Sequence, residues 1–307
     1  MADPFKTPLR SSTRFCAVFG HPVRHSASPA LQNAGLAALG LNWRYLACEV
    51  HPDQLAAAIE GAKAMRFIGL NLTLPHKLLA LGMVDALDES AKMWGAVNTI
   101  RFEALDAGGR WVPMSEIGTD DLTTLRSNGF NTDADAFARS LKEDLHCEAR
   151  GSRILLLGAG GAARAAAVKL AADGAAELFI ANRTASKAEE LAAEIRQRFP
   201  QTTVATGYPL GPVDLLINAT SLGLKPDDAS PLDTSKFRVT RARAVYDMIY
   251  SPAETALLTA AKAAGCRVAN GFGMLLHQGA RALEIWTCRP SPMDAMRGAL
   301  KEEVYGS

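Results

Sequence analysis

A chain of 307 residues, 48% hydrophobic and 21% charged, has enough apolar content for one large or two medium globular domains. Its net charge of +1 leaves no basic excess for nucleic acid and no acidic tail, and no apolar run approaches the ~20 residues that span a bilayer. The start, Met1 to Ser12, is polar and proline-bearing, unlike a secretory signal. Five scattered cysteines (Cys16, Cys48, Cys147, Cys266, Cys288) with no Cys-x-x-Cys suit a reducing cytoplasm and argue against disulfides or a zinc site.

Phe15 to Phe19 reads as a buried strand ending at Gly20. The following His21 to Pro29 is a loop rich in hydroxyls and prolines, and a helix is expected from Pro29 to Leu39 with proline at its first position. Ser28 can serve there as an N-cap. Alternatively, Ser26 and Ser28, two apart in an extended segment, point their hydroxyls the same way and can hold a small carboxylate. His21 and His25 are separated by Pro22 in a loop and offer no helical face to a metal, and the six histidines show no ligand spacing, so no metal site is expected.

Tyr45–Val50 reads as a strand, Pro52–Lys63 as a helix and Phe67–Leu70 as a strand running into Asn71-Leu72-Thr73-Leu74-Pro75-His76-Lys77. Asn71 and Thr73 share a face, and Lys77 in the first turn of the next helix opposes the helix dipole, a local conflict of the kind functional sites carry. Ala96–Ile100 is a further strand that begins with polar residues, among them Asn98. Residues 102–128 are irregular, with Glu116, Asp120 and Asp121 clustered, and are expected to form a hairpin extension and a short helix, a surface elaboration or else a lid. Asn131-Thr132-Asp133 precedes a helix over Ala134–Leu145, which Asp133 can cap.

Ile154–Leu157, Gly158-Ala159-Gly160-Gly161-Ala162-Ala163-Arg164, an alanine-rich run and Leu178–Ala181 form a strand, tight turn, helix and parallel strand within about thirty residues, the dinucleotide-binding arrangement. Gly158 permits the turn, Gly160 lets a pyrophosphate approach the backbone, and Ala163 lets the helix pack closely on the strand. The second strand ends in Asn182-Arg183-Thr184 with Lys187 beyond, where an NAD-preferring site usually has a carboxylate. A guanidinium there can bond a 2′-phosphate, so NADP is expected, although Arg183 and Lys187 also read as a solvated helix start. Helix Lys187–Arg198, strands Thr202–Ala205, Asp214–Ser221 (closing on Thr220-Ser221) and Ala244–Tyr250 follow. Asn270-Gly271-Phe272-Gly273-Met274 opens a helix carrying Gln278, whose Phe272, Leu275, Leu276, Gly279, Leu283 and Trp286 follow helical spacing as core.

Taken together, Ser26-Ala27-Ser28-Pro29, Asn71 to Lys77, Val97-Asn98-Thr99, Asn131-Thr132-Asp133, Gly158 to Arg164, Asn182-Arg183-Thr184, Asn218-Ala219-Thr220-Ser221, Asp247 to Tyr250 and Met274 to Gln278 resemble the shikimate/quinate dehydrogenase family over nearly the whole chain. The resemblance implies an α/β protein of two domains flanking a cleft. One is a substrate domain over 1–131 joined by C-terminal helices over 273–307; the other is a Rossmann-like NADP-binding domain over 132–272. It also implies NADPH-dependent reduction of 3-dehydroshikimate to shikimate in aromatic amino acid biosynthesis, by a monomer or homodimer with small-molecule partners alone.

Position by position, the resemblance makes Lys77 and Asp133 the catalytic pair and gives the substrate carboxylate to Ser26, Ser28 and Tyr250. It gives the ring hydroxyls to Asn71, Thr73, Asn98 and Gln278, lays Met248 and Gly271 against the nicotinamide, and sets Thr220 and Ser221 near the cofactor backbone. Gln32 stands where the family usually has His, Ala136 replaces a usual Gly, and Gly118-Thr119-Asp120-Asp121 is a rival match to the catalytic Asp motif. An enzyme of the same family using quinate, or both quinate and shikimate, with NAD or NADP, and a non-catalytic NADPH sensor are the alternatives.

Overall fold

The computed structural model describes residues 8–117, 124–225 and 227–306. The rival motif Gly118–Asp121 and the first seven residues of the polar start lie outside them. The chain divides into two units, Met1–Asp133 with Gln278–Ser307, and Ala134–His277.

The first unit opens with β1 (Arg14–Gly20), α1 (Ser28–Ala38), β2 (Trp43–Glu49), α2 (Leu55–Ala64) and β3 (Gly69–Leu72). β1 pairs in parallel with β2 and β3, and its Cys16, Ala17, Val18 and Phe19 are all buried, as a strand covered on both faces requires. The chain continues through a one-turn α3 (His76–Leu79), a short β4 (Ala86–Leu87), α4 (Glu89–Trp94), β5 (Thr99–Leu105), β6 (Trp111–Pro113) and β7 (Leu125–Phe130). Among the described residues the sheet order is β2-β1-β3-β5-β7-β4, with β6 paired to β5.

Three expectations change here. Asn71 lies inside β3, because that strand starts and ends two residues later than its apolar run suggests. The strand expected over Ala96–Ile100 begins only at Thr99 and runs antiparallel to β3. Leu125–Phe130 belongs to no surface elaboration: it is a strand between β5 and β4. Its polar sequence hides this. Ser127 is fully buried and donates through N and Oγ to Asp85 Oδ2, and Gly129 sits under Val97 where a Cβ would come within 2.9 Å. The hairpin extension is present as β5–β6, and the described part of the expected helix is a single 3-10 turn, Met114–Glu116.

α5 (Asp133–Leu145) leads to the second unit: β8 (Arg153–Leu157), α6 (Gly161–Ala172), β9 (Glu177–Ala181), α7 (Ala185–Arg198), β10 (Thr203–Thr206), β11 (Val213–Asn218), β12 (Ala242–Asp247), α8 (Ala256–Ala263) and β13 (Arg267–Asn270). These strands form a sheet parallel throughout, ordered β10-β9-β8-β11-β12-β13, the doubly wound arrangement. Register aligns the carboxyl ends: Leu157 lies beside Ala181 and Asn218, Asn218 beside Asp247, and Asp247 beside Asn270.

α9 (Phe272–Thr287) and α10 (Met293–Tyr305) complete the chain. In the first unit, Trp286 of α9 is fully buried and donates its Nε1 hydrogen to Ile100 O at 2.9 Å, and Gly35 of α1 packs against Leu283 and Met296. Among the described residues no helix is long and apolar enough to cross a membrane.

Candidate active site

In the first unit, the antiparallel turn of β5 brings chemistry to one sheet edge. β3 delivers Asn71 and then Thr73 there, β5 starts there beside Asn98, and β7 ends there into Asn131-Thr132-Asp133; Asn71 pairs with Thr99, and Thr99 with Phe130. Lys77 of α3 donates to Asp133 Oδ2 at 2.7 Å, a half-buried amine on a carboxylate only 14% exposed. Asp133 is the first residue of α5, and its own N–H donates to Asn131 Oδ1 at 3.1 Å. The dipole conflict inferred for Lys77 loses its force, because α3 has only four residues.

Asn98 is buried: its Nδ2 donates to Thr132 Oγ1 at 2.9 Å, and its Oδ1 accepts from Thr132 N at 2.8 Å and Thr99 Oγ1 at 3.1 Å. Thr132 Oγ1 also reaches the backbone carbonyl of Gln278 at 3.1 Å, fixing that residue's place on α9. Gln32 donates to the next carbonyl, Gly279 O, at 2.8 Å. Thr73 N donates to Phe19 O. Ser26 and Ser28 do not lie in an extended segment. Ser28 is the first residue of α1, its N–H donates to Ser26 Oγ at 3.3 Å, and α1 has no side-chain cap, because the cap position is Ala27. Burial raises the pKa of the Tyr45 phenol well above the ordinary tyrosine value and so holds it protonated.

In the second unit the Gly-rich turn follows β8. Gly158 takes φ +114°, its N–H donates to Ala181 O at 2.8 Å, and a Cβ there would press on Ala219 O. Gly160 precedes α6, which has no side-chain cap and no acid in its first turn; a Cβ at Gly160 or Gly161 would meet nothing within 4 Å. Ala159 is half-buried and Ala162 exposed, while Ala163 is buried. This leaves uncapped N–H groups facing room, the cradle a pyrophosphate needs. Asn182 donates to Thr184 O at 2.9 Å, and Arg183 and Lys187 are exposed at the entry to α7, with no ion pair among the described residues. A 2′-phosphate would meet two cations there and no carboxylate.

Across β11 and β12, Thr220 donates by N and Oγ1 to Asn218 Oδ1, and Ser221 is exposed. Asn218 Nδ2 donates to Asp247 Oδ1 at 3.0 Å, and Thr255 Oγ1 to Asp247 Oδ2 at 2.7 Å. Burial raises the Asp247 carboxyl above the usual range, against the bonds from Thr255, Ile249 N and Asn218. Met248 follows β12, and Gly271 leaves no room for a Cβ against its carbonyl. Tyr250 belongs to this unit, half-buried, with its phenol pKa raised by burial. Sequence reasoning gave no role to Tyr45, Thr99, Thr132 or Asp247; a tyrosine or threonine in a strand reads as core, and only the network reveals otherwise.

These features put the chain among two-unit α/β proteins of the dinucleotide-binding class. Family models match it as a shikimate dehydrogenase substrate-binding domain over residues 18–100, a shikimate/quinate 5-dehydrogenase domain over 140–223 and a shikimate 5′-dehydrogenase C-terminal domain over 271–301. It is 42% identical to a shikimate dehydrogenase (NADP(+)) of Geobacter metallireducens, covering 94% of this chain and 96% of the relative. A crystal structure of a shikimate dehydrogenase in complex with NADP+ superimposes with a TM-score of 0.82 at 35% identity, covering 97% and 98%. A ligand-free 5-ketofructose reductase of Gluconobacter sp. strain CHM43 does so with a TM-score of 0.78 at 36% identity, covering 95% and 99%. The chain belongs to the shikimate dehydrogenase family.

Proposed function

We propose that this chain catalyses the reversible, NADP-linked reduction of 3-dehydroshikimate to shikimate, a step of aromatic amino acid biosynthesis. The observation that carries the reading is the Lys77–Asp133 pair, held at 2.7 Å on the sheet edge where Asn71, Asn98 and Thr132 converge. The NADP-dependent shikimate dehydrogenases to which the chain is similar support it.

Bound NADPH supplies the hydride that reaches the ketone carbon. Lys77 hydrogen-bonds the ketone oxygen, steadies the negative charge that grows there and gives up the proton that completes the alcohol. Asp133 orients the amine. Ser26, Ser28 and Tyr250 are assigned to the carboxylate, and Asn71, Thr73, Asn98 and Gln278 to the ring hydroxyls. For the cofactor, the backbone from Gly158 to Ala162 takes the pyrophosphate, Asn182, Arg183, Thr184 and Lys187 the 2′-phosphate, and Thr220, Ser221, Met248 and Gly271 the nicotinamide half.

Lys77→Ala is expected to lower kcat by about 10²- to 10⁴-fold, the usual contribution of a positioned acid–base group, with NADPH affinity unchanged. Steady-state assay with shikimate and NADP+, beside fluorescence titration of NADPH, measures both. A variant retaining most of its kcat would remove Lys77 from the chemistry.

A further inference from the structure

Tyr45, a fully enclosed strand residue, bonds a side chain that the proposed function assigns to the substrate. Its Oη donates to Asn71 Oδ1 at 2.7 Å.

Counting protons fixes the direction of each bond. Asn71 Nδ2 faces Asn98 O at 3.2 Å and Thr99 Oγ1 at 3.0 Å. A backbone carbonyl only accepts, so the amide is held with its nitrogen on that side and its oxygen toward Tyr45. The single phenol proton therefore goes to Asn71. Asn71 then has both N–H groups committed and one Oδ1 lone pair to spare. It can accept from a ligand hydroxyl and cannot donate to one.

We propose that Tyr45 is a positioning residue for substrate binding: its hydroxyl fixes Asn71 as a hydrogen-bond acceptor, so that the site takes a ligand presenting a hydroxyl proton to Asn71. This rests on the reading of Asn71 as a substrate-binding group. Tyr45 itself touches no substrate.

The test is Tyr45→Phe in the full-length protein, which removes one oxygen and keeps the ring. KM for shikimate is expected to rise about tenfold, equivalent to about 1.4 kcal/mol, with kcat within threefold and the Kd for NADPH unchanged. In a double-mutant cycle with Asn71→Ala, the two effects on KM should be strongly non-additive, since Tyr45 acts through Asn71. An unchanged KM, additive effects, or a loss of thermal stability with normal kinetics overturns the proposal. If Tyr45→Phe does not fold, the wild type decides: among shikimate analogues, one ring position should tolerate amino but lose at least tenfold in KM with fluoro. Equal tolerance at every position overturns it. Wild-type turnover of shikimate is the control. Its absence would defeat the functional reading itself, and this proposal with it, whereas normal wild-type turnover makes any failure specific to Tyr45.

Discussion

Single residues carry chemistry here through backbone shape as much as through side chains. Gly158 holds φ +114°, where a side chain is rarely tolerated, and a Cβ would stand 3.0 Å from Ala219 O. Gly158→Ala should cost about 1–3 kcal/mol from the backbone conformation alone. It should also shift the turn that presents the α6 N–H groups, so NADPH affinity is expected to fall while the Kd for shikimate is unchanged. Urea denaturation and separate ligand titrations measure the two effects, and a variant of unchanged stability would contradict the strain argument. Gly158 was legible in sequence because a glycine that closes an apolar run and precedes a helical one marks a tight turn. Tyr45 was not, since nothing about a tyrosine in a strand tells whether its hydroxyl meets water, backbone or another side chain. The Ser26–Ser28 pair lies between: the residues stood out, but the turn that holds them depends on where α1 starts.

At the scale of elements, long periodic segments were readable and polar strands were not. α5 and α7 lie within two residues of their expected starts, because an amphipathic repeat survives without knowledge of neighbours. β7 was hidden because its polar residues find partners in other elements. Glu103 of β5, 1% exposed, receives Arg101 and Arg126, the latter at 2.6 Å, and also Asn128 at 3.2 Å. Burial alone would raise its carboxyl pKa, but the bonds from Arg101, Asn128 and Arg126 reverse that and hold it below the ordinary value. A depressed folded pKa contributes stability that is present above the unfolded value and lost as pH falls through the folded one. Glu103→Gln leaves two guanidinium groups facing an uncharged amide and should cost about 3–5 kcal/mol at neutral pH. The gap between wild type and variant should narrow below the usual carboxylate range. Urea unfolding at several pH values tests this, and a gap independent of pH would mean the charge of Glu103 contributes nothing.

For the whole molecule, the two units make separate demands on specificity, and each can be measured through the other's ligand. In the second unit, two exposed cations at the entry to α7 and no carboxylate favour a 2′-phosphate. A charge-assisted bond contributes roughly 1.5–3 kcal/mol, so kcat/KM should favour NADP over NAD by about ten- to a hundredfold. Arg183→Ala should remove most of that preference by raising KM for NADP alone. In the first unit, Asn71 and Asn98 are tied into one buried network, and rigid polar groups reject a ligand that leaves them unpaired. Shikimate should therefore exceed quinate and 5-ketofructose in kcat/KM, and Arg183→Ala should leave that order intact. Assaying wild type and Arg183→Ala with each substrate and both cofactors separates the two demands. If the variant reorders the substrates, the units are not independent in recognition. If the wild type prefers NAD, the cations at α7 serve solubility and the cofactor is chosen elsewhere in the second unit.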